Sequence, residues 1–385
     1  MQNRIYLDHA ATTPLSKTVL EKMLPYFNLF SGNASAIYAT GREARKAVEN
    51  ARRQTAKAIG ADAHEILFTS GGSESDNLAI KGTAYALKDK GKHIITSAIE
   101  HPAVLNTCRW LEKQGYNVTY ILPDKEGRID PDTIRNAVRD DTILISIMTA
   151  NNEIGTIEPI DRIGDIAKEK DVVFHTDAVQ AAGSIPIDVN SMNADLVSLS
   201  AHKFGGPKGT GALYVRQGTR LCSLIHGGEQ ERGLRAGTEN VPGIVGLGQA
   251  IEEACKNMEV NTLKSKVLRD RLISGILDYI PDAYLNGPTD ERLPNNCSVS
   301  FDRIDGEALL LRLDLAGIAA SSGSACTSGS QKISHVLRAI GMTDAQAKGT
   351  LRLTVGCENT EAEINETVKV LKDIVEDLRS MYHGI

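Results

Sequence analysis

Four short polar clusters interrupt otherwise apolar runs of the 385-residue chain, and each carries residues able to do chemistry. In FTSGGSESDN, Gly71 and Gly72 let the backbone approach an anion. Ser73 then opens a helical pattern whose free N–H groups and dipole favour a phosphate. The same turn would also serve as a plain strand–helix connection with a serine cap. No lysine follows the glycines as in a Walker A loop, which argues against nucleoside triphosphates. VVFHTDAVQ places Asp177 at the end of an apolar run, where a carboxylate must be paired, hydrogen-bonded or protonated. A helix cap is the structural alternative there. DLVSLSAHKFGGPKGTGAL sets Lys203 at a strand end, with Ser200 and His202 beside it. Lysines are rarely buried unless paired or covalently used. TANNEIG closes the run TILISIMTA with Asn151 and Asn152, which also suit an ordinary turn.

Taken together the clusters are far more specific than any one of them. A phosphate cup, an Asp and, 26 residues later, a Lys at a strand end match the needs of pyridoxal phosphate. Its aldehyde takes an amine as a Schiff base, and its pyridine nitrogen needs a carboxylate to stay protonated. His101, in SAIEHPAV, is read as ending the strand HIITSAI, placed either to stack on the pyridine face or to serve the fold.

The elements that must position these residues alternate along the chain. GREARKAVENARRQTAKAIG reads as a helix, EILFTS as a strand, SESDNLAIKGTAYALKDKG as a helix, and the alternation continues to GALYVR. Strands separated by helices of about 10–15 residues indicate βαβ units and a mostly parallel sheet, with ligands at the carboxyl ends of its strands. TILISIMTA is apolar throughout, as a strand covered on both faces should be. The closely spaced last strands of this part suit an antiparallel edge. Past Glu252 a long helix, the strand CSVSF, the helix GEALLLRLDLAG, a Gly/Ser-rich loop, the strand TLRLTV and a last helix describe a smaller α+β unit. The division expected is a large domain over 15–255, and a small domain made of 1–14 and 256–385.

Composition bounds the function. Hydrophobic residues make up 41% and charged residues 24%, ordinary for a globular chain. Net charge is −6 without a basic block, so nucleic-acid binding has no electrostatic footprint. No apolar stretch approaches the ~18 residues of a membrane span, and the N-terminus lacks a signal-peptide pattern. The six cysteines show no CxxC spacing, against both a zinc site and a disulfide scaffold. A cytoplasmic protein is expected.

The chain resembles the NifS/IscS cysteine desulfurases, within the fold-type I pyridoxal-phosphate enzymes (class-V aminotransferase-like). YLDHAATTP, FTSGGSESDNLAI, EHPAVL, ANNEIGTI, DAVQAAG, SAHKFGGPKGTGALYV, QERGLRAGTEN and SSGSACTSGS carry the resemblance essentially end to end. It implies a large domain with a seven-stranded, mostly parallel sheet covered by helices, plus a smaller α+β domain. Lys203 then forms the Schiff base and moves protons, Asp177 pairs with the pyridinium nitrogen, and His101 stacks on the ring. Gly72, Ser73, Ser200 and His202 hold the phosphate, with Thr238 reaching it from the other subunit of a homodimer. Asn152 and Gln180 bond the phenolic oxygen. Arg352, in TLRLT, takes the substrate carboxylate with its two-pronged guanidinium.

Cys326, in a stretch of small residues that cannot pack a core, matches the family's persulfide-forming cysteine. The implied activity converts L-cysteine to L-alanine and passes the sulfur to an iron–sulfur scaffold protein or another acceptor, such as the route to transfer RNA thiolation. No fixed metal site is implied, although Cys326 could transiently ligate an iron–sulfur cluster. Selenocysteine lyase or another fold-type I activity is the alternative enzyme reading, and a non-catalytic sulfur-assembly scaffold the remaining one. The loop thiol argues against a transaminase, and Lys203 against a silent scaffold. The chain departs from the family pattern at Ala34, Tyr38, the Gly71–Ser73 triplet, Glu229 and Cys357.

Overall fold

The computed structural model describes residues 4–322 and 333–382, so the Gly/Ser loop with Cys326 lies outside the described residues. The strands in chain order are β1 (Ile5–Tyr6), β2 (Ile66–Thr69), β3 (His93–Ser97), β4 (Asn117–Ile121), β5 (Thr142–Ser146) and β6 (Val173–Asp177). They continue with β7 (Leu196–Ser200), β8 (Gly211–Val215), β9 (Ala283–Leu285), β10 (Asn296–Phe301), β11 (Ile318–Ala319) and β12 (Thr350–Thr354).

Seven of them build one sheet in the order β2-β8-β7-β6-β5-β3-β4. All its pairings are parallel except those of β8, which runs against both β2 and β7. The central strands β3, β5 and β7 are buried along their whole length, consistent with helices on both faces of a mostly parallel sheet. Helices cover both faces. On one, Phe174, Leu199 and Tyr214 pack with Leu247 and Ile251. On the other, Ile94 and Leu144 pack with Ile80 of helix Gly72–Ala86 and Leu111 of helix Pro102–Glu112. The strand order reverses between β3 and β5, the kind of crevice where open α/β sheets bind ligands.

A second core forms around the antiparallel sheet β12-β10-β9, where Phe301 and Leu353 pack with Leu272, Leu313 and Leu371 of three helices. Leu7 belongs to this second core, and β1 pairs in parallel with β11. The N-terminal segment therefore starts in the small core and runs on to the carboxyl ends of the large sheet.

Three local expectations are corrected. β5 stops at Ser146 rather than Ala150: Ile147 and Thr149 N–H still bond β6, but on the β3 side Met148 N–H donates to the Glu100 side chain instead of a strand carbonyl. His101 does not end a strand but caps helix Pro102–Glu112, its Nδ1 accepting from Ala103 N–H. Lys203 lies in a single 3-10 turn beyond the end of β7.

The close approach of β8 to the Gly71 turn generates a test. A Cβ on Gly211 would sit 2.6 Å from Gly71 Cα and 2.7 Å from the Leu199 carbonyl oxygen, both rigid backbone. Gly211→Ala should cost about 1–3 kcal/mol, the usual penalty of overpacking. Urea unfolding measures it, and an unchanged midpoint would show that the Gly71 turn yields freely.

Candidate active site

The four polar clusters converge at the carboxyl ends of the large sheet. Gly71 adopts φ 152°, a conformation open to glycine, and helix Gly72–Ala86 starts directly after it without a side-chain cap. A Cβ on Gly72 would lie 2.8 Å from Val179 Cγ2 and 3.6 Å from Ser200 Cβ, so a bare backbone is required there. The result is a cup of helix N–H groups beside Ser73, with buried Ser200 behind it. Glu74 closes one side, accepting from Arg235 Nε at 2.9 Å and from both Ser70 groups.

Asp177 ends β6 and is buried; its Oδ1 accepts from Val179 N–H at 2.9 Å. Burial pushes its carboxyl above the ordinary range, while nearby His101, the Val179 N–H and Lys203 pull it back. His101 is held below its usual value, first by burial, with Asp177 acting against it. Two further buried acids lie under this site. Asp76 is pushed well up by burial and by Asp177, and Glu100 is pushed to about 8 by burial. Between strands β5 and β7, His175 is wedged against Ser146 at 2.8 Å and Ser198 at 3.0 Å, with Asp76 3.7 Å away. Burial alone lowers His175 to about 3, so the imidazole facing Asp76 is neutral at neutral pH and the contact is not an ion pair.

The lysine is positioned from an unexpected direction. Lys203 Nζ donates to the carbonyls of Ala10 at 2.6 Å and Ala11 at 2.9 Å, and Gln180 Nε2 donates to the same Ala10 carbonyl at 3.0 Å. His202 Nδ1 meets Thr12 Oγ1 at 3.2 Å, and burial with Lys203 and Lys208 lowers it to about 4. Thr13 bonds the His202 carbonyl at 3.0 Å and accepts from Gly205 N–H at 2.8 Å. A cavity of about 450 Å³ opens beside Lys203, lined among others by His9, Phe204, Glu253, Val355 and Cys357. It does not reach Gly72, Asp177 or Arg352, and so is distinct from the glycine cup.

Arg352 comes from β12 of the small core and is buried. Its Nη2 is 2.8 Å from Asp8 Oδ1, and its Nη1 donates to the Asn152 carbonyl at 3.0 Å. The guanidinium thus reaches the large sheet from across the boundary between the two cores. A cation held there suits a small carboxylate placed between the cores.

Gly72, Ser73, Ser200, His202, Lys203, Asp177, Gln180, His101, Asn152 and Arg352 are therefore brought to one end of the sheet. Thr238 is not among them: it stands exposed in the segment following Arg235. Cys326 lies outside the described residues. Sequence reasoning missed Asp8 and the Ala10–Thr13 strip, although YLDHAATTP was visible as a motif. An acid among small residues, flanked by buried Leu7 and Ala10, was the available signal. Of the departures from the family pattern, Ala34 is buried, whereas Tyr38, Glu229 and Cys357 are exposed. Among the described residues no group of His, Cys, Asp and Glu is arranged to hold a metal, and no helix is long and apolar enough to cross a membrane.

Comparison with known proteins agrees with this geometry. The model of the class-V aminotransferase family matches residues 5–366. Cysteine desulfurase IscS of Methanosarcina thermophila is 56% identical over 377 residues, covering 98% of this chain and 93% of that protein. Cysteine desulfurase IscS of Dictyoglomus turgidum is 55% identical, covering 99% and 97%. Among solved structures, a NifS-like protein superimposes with a TM-score of 0.92 at 39% identity, covering 97% of this chain and 99% of that one. A structure described as SspA in complex with cysteine gives 0.83 at 41% identity, covering 92% and 100%.

His175 supplies a pH test. Unfolded histidine takes up a proton below about 6.5, while the folded chain resists until about 3. Across that window the unfolded state binds more protons, so stability is full above about 6.5 and falls as pH falls, by at most about 1.4 kcal/mol per pH unit. His175→Gln should flatten the decline of the urea midpoint between pH 7 and pH 5. A slope identical to wild type would show that His175 is not the group responsible.

Proposed function

The chain belongs to the class-V aminotransferase family, and from that premise we propose how its residues act. It is a pyridoxal-phosphate-dependent cysteine desulfurase. When bound, pyridoxal phosphate supplies an aldehyde for an amine and an electron sink that weakens bonds at the amino acid's Cα. The residues present suit it: a glycine cup with free helix N–H groups for the phosphate, a buried Asp177 that a pyridinium would hold as carboxylate, and Lys203 between them. In this reading Gly72, Ser73, Ser200 and His202 hold the phosphate, and His101 covers the ring. Asn152 and Gln180 bond the phenolic oxygen.

Arg352 takes the carboxylate of L-cysteine, for which its contact with Asp8 marks the position of an anion. Lys203 removes and returns the proton at Cα. The Cys326 thiolate bonds to the substrate sulfur, and the Cβ–S electron pair stays on Cβ, which takes a proton. L-cysteine and the Cys326 thiol thus become L-alanine and a Cys326 persulfide. The observation that carries this reading is Lys203 on the same end of the sheet as Asp177 and the glycine cup, with Arg352 reaching in from the other core.

Four of the other thiols are raised above the ordinary range, which makes them poorer nucleophiles. Burial pushes Cys108 and Cys297 to about 12 and raises Cys255. Cys357, exposed beside the cavity next to Lys203, is also raised, by partial burial and Glu358. We further propose a homodimer in which Thr238 of a second copy completes the phosphate site. Its exposure in a single chain supports that role. An iron–sulfur scaffold or another sulfur acceptor then receives the sulfur.

Lys203→Ala should lose the visible absorbance of the bound cofactor and all turnover; normal activity would sink the assignment. Cys326→Ser should keep that absorbance while alanine release from L-cysteine falls at least about a hundredfold, in line with loss of a nucleophile. Mass spectrometry placing the extra sulfur of the wild type on Cys357 would overturn the choice of thiol. Arg352→Lys keeps the charge and loses the fork, and should raise KM for cysteine about tenfold. An unchanged KM would refute its role. Light scattering should give a dimer, and a fully active monomer would contradict the shared site.

A further inference from the structure

The chain on either side of residues 323–332 is fastened to two different parts of the site. On the N-terminal side, Ser321 exchanges backbone hydrogen bonds with Arg352, at 3.1 and 2.6 Å, which ties this end to the small core. On the C-terminal side, Ser334 donates its hydroxyl proton to Glu153 Oε2 at 2.5 Å and accepts from Val336 and Leu337 N–H at 3.1 and 3.3 Å. His335 Nε2 meets the carbonyl of Glu100 at 2.9 Å, one residue before His101. Val336, Leu337 and Ile340 seat this end on Ile99 and Ile154 of the large-core side.

Glu153 is the polar centre of that second attachment. It is buried in ANNEIG, directly after Asn152, whose carbonyl holds Arg352. Burial pushes its carboxyl up, and the Ser334 hydroxyl, His335 and Arg352 pull it down, so all three favour its anionic form. No step of the reaction needs Glu153 to touch substrate or cofactor. Its partner Ser334, however, lies eight residues beyond Cys326, and Ser321 lies five before it. A chain spans at most about 3.6 Å per residue, so the thiol stays within about 18 Å of one attachment and about 29 Å of the other. The positions of the two attachments therefore set the effective concentration of the thiol at the substrate sulfur.

We propose that Glu153 is a positioning residue for sulfur transfer: by holding Ser334 it fixes where the Cys326 segment rejoins the cofactor side of the site. The inference rests on the reading of Cys326 as the persulfide carrier. It separates two steps that a general weakening of the fold would damage together. Binding of L-cysteine, read as the spectral change on mixing it with the holoenzyme, depends on Lys203, Asp177 and Arg352. Sulfur transfer, read as first-turnover persulfide on Cys326 by mass spectrometry, additionally depends on the Ser334 attachment.

Glu153→Ala should slow first-turnover persulfide formation by about ten- to a hundredfold, the range expected of a misplaced reacting group. The half-saturation of the spectral change should stay within about twofold. Glu153→Gln keeps an oxygen that accepts from Ser334 and should recover most of the rate. Ser334→Ala should match Glu153→Ala, Ser334→Thr should behave like wild type, and the double alanine variant should be no slower than either single one. If Glu153→Ala does not fold, the pair Ser334→Ala and Ser334→Thr carries the test. A wild-type persulfide rate in Ser334→Ala, an additive double variant, or an equal loss in the binding signal would each overturn the proposal. A wild type that places no sulfur on Cys326 would instead overturn the functional reading beneath it, and the proposal with it.

Discussion

Two carbonyl groups, those of Ala10 and Ala11, hold the amine of Lys203, and much of the site hangs from the strip of chain that carries them. A lysine near the end of a buried sheet must find acceptors, because an unsolvated ammonium without partners is far too costly. The strip that supplies them is anchored at its start by Leu7 in the small core and by the pairing of β1 with β11. Within a few residues it also presents Asp8 to Arg352 and Thr12 to His202. One extended segment thus sets Lys203, Arg352 and His202 relative to one another. Displacing it would disturb all three together.

Beneath the site lies an electrostatic constraint of the opposite kind. Asp76, Glu100 and Asp177 share a buried region in which His101 and Lys203 supply the nearby positive or protonatable groups. Burial raises all three, and the charge of Asp177 pushes Asp76 and Glu100 further in the same direction. Behind them, His175 is held by Ser146 and Ser198, and its contact with Asp76 adds no ion pair.

The two cores meet at Arg352. Arg352 belongs to a strand of the small core, yet its guanidinium touches the Asn152 carbonyl of the large sheet. The chain around Cys326 is likewise fastened to both, through Ser321 on one side and Ser334 on the other.

How much of this was legible depends on whether a residue's role is written locally. Lys203, Asp177 and the Gly71–Gly72 turn were readable because strand ends carrying polar groups after unbroken apolar runs are unusual, and because βαβ order alone puts those ends on one side of a parallel sheet. The mostly parallel large sheet and its antiparallel edge were visible in the same alternation. Where β5 ends was not, since Ile147–Ala150 are as apolar as the strand before them, and it is the Glu100 side chain, taking Met148 N–H, that ends the pairing on the β3 side. Nor could local pattern reveal partners hundreds of residues apart: Asp8 with Arg352, Ala10 with Lys203, Glu153 with Ser334. Those pairings carry no periodicity and no spacing. They exist only because folding brings the start of the chain and the small core against the ends of the large sheet, and burial there obliges each charge to find a partner.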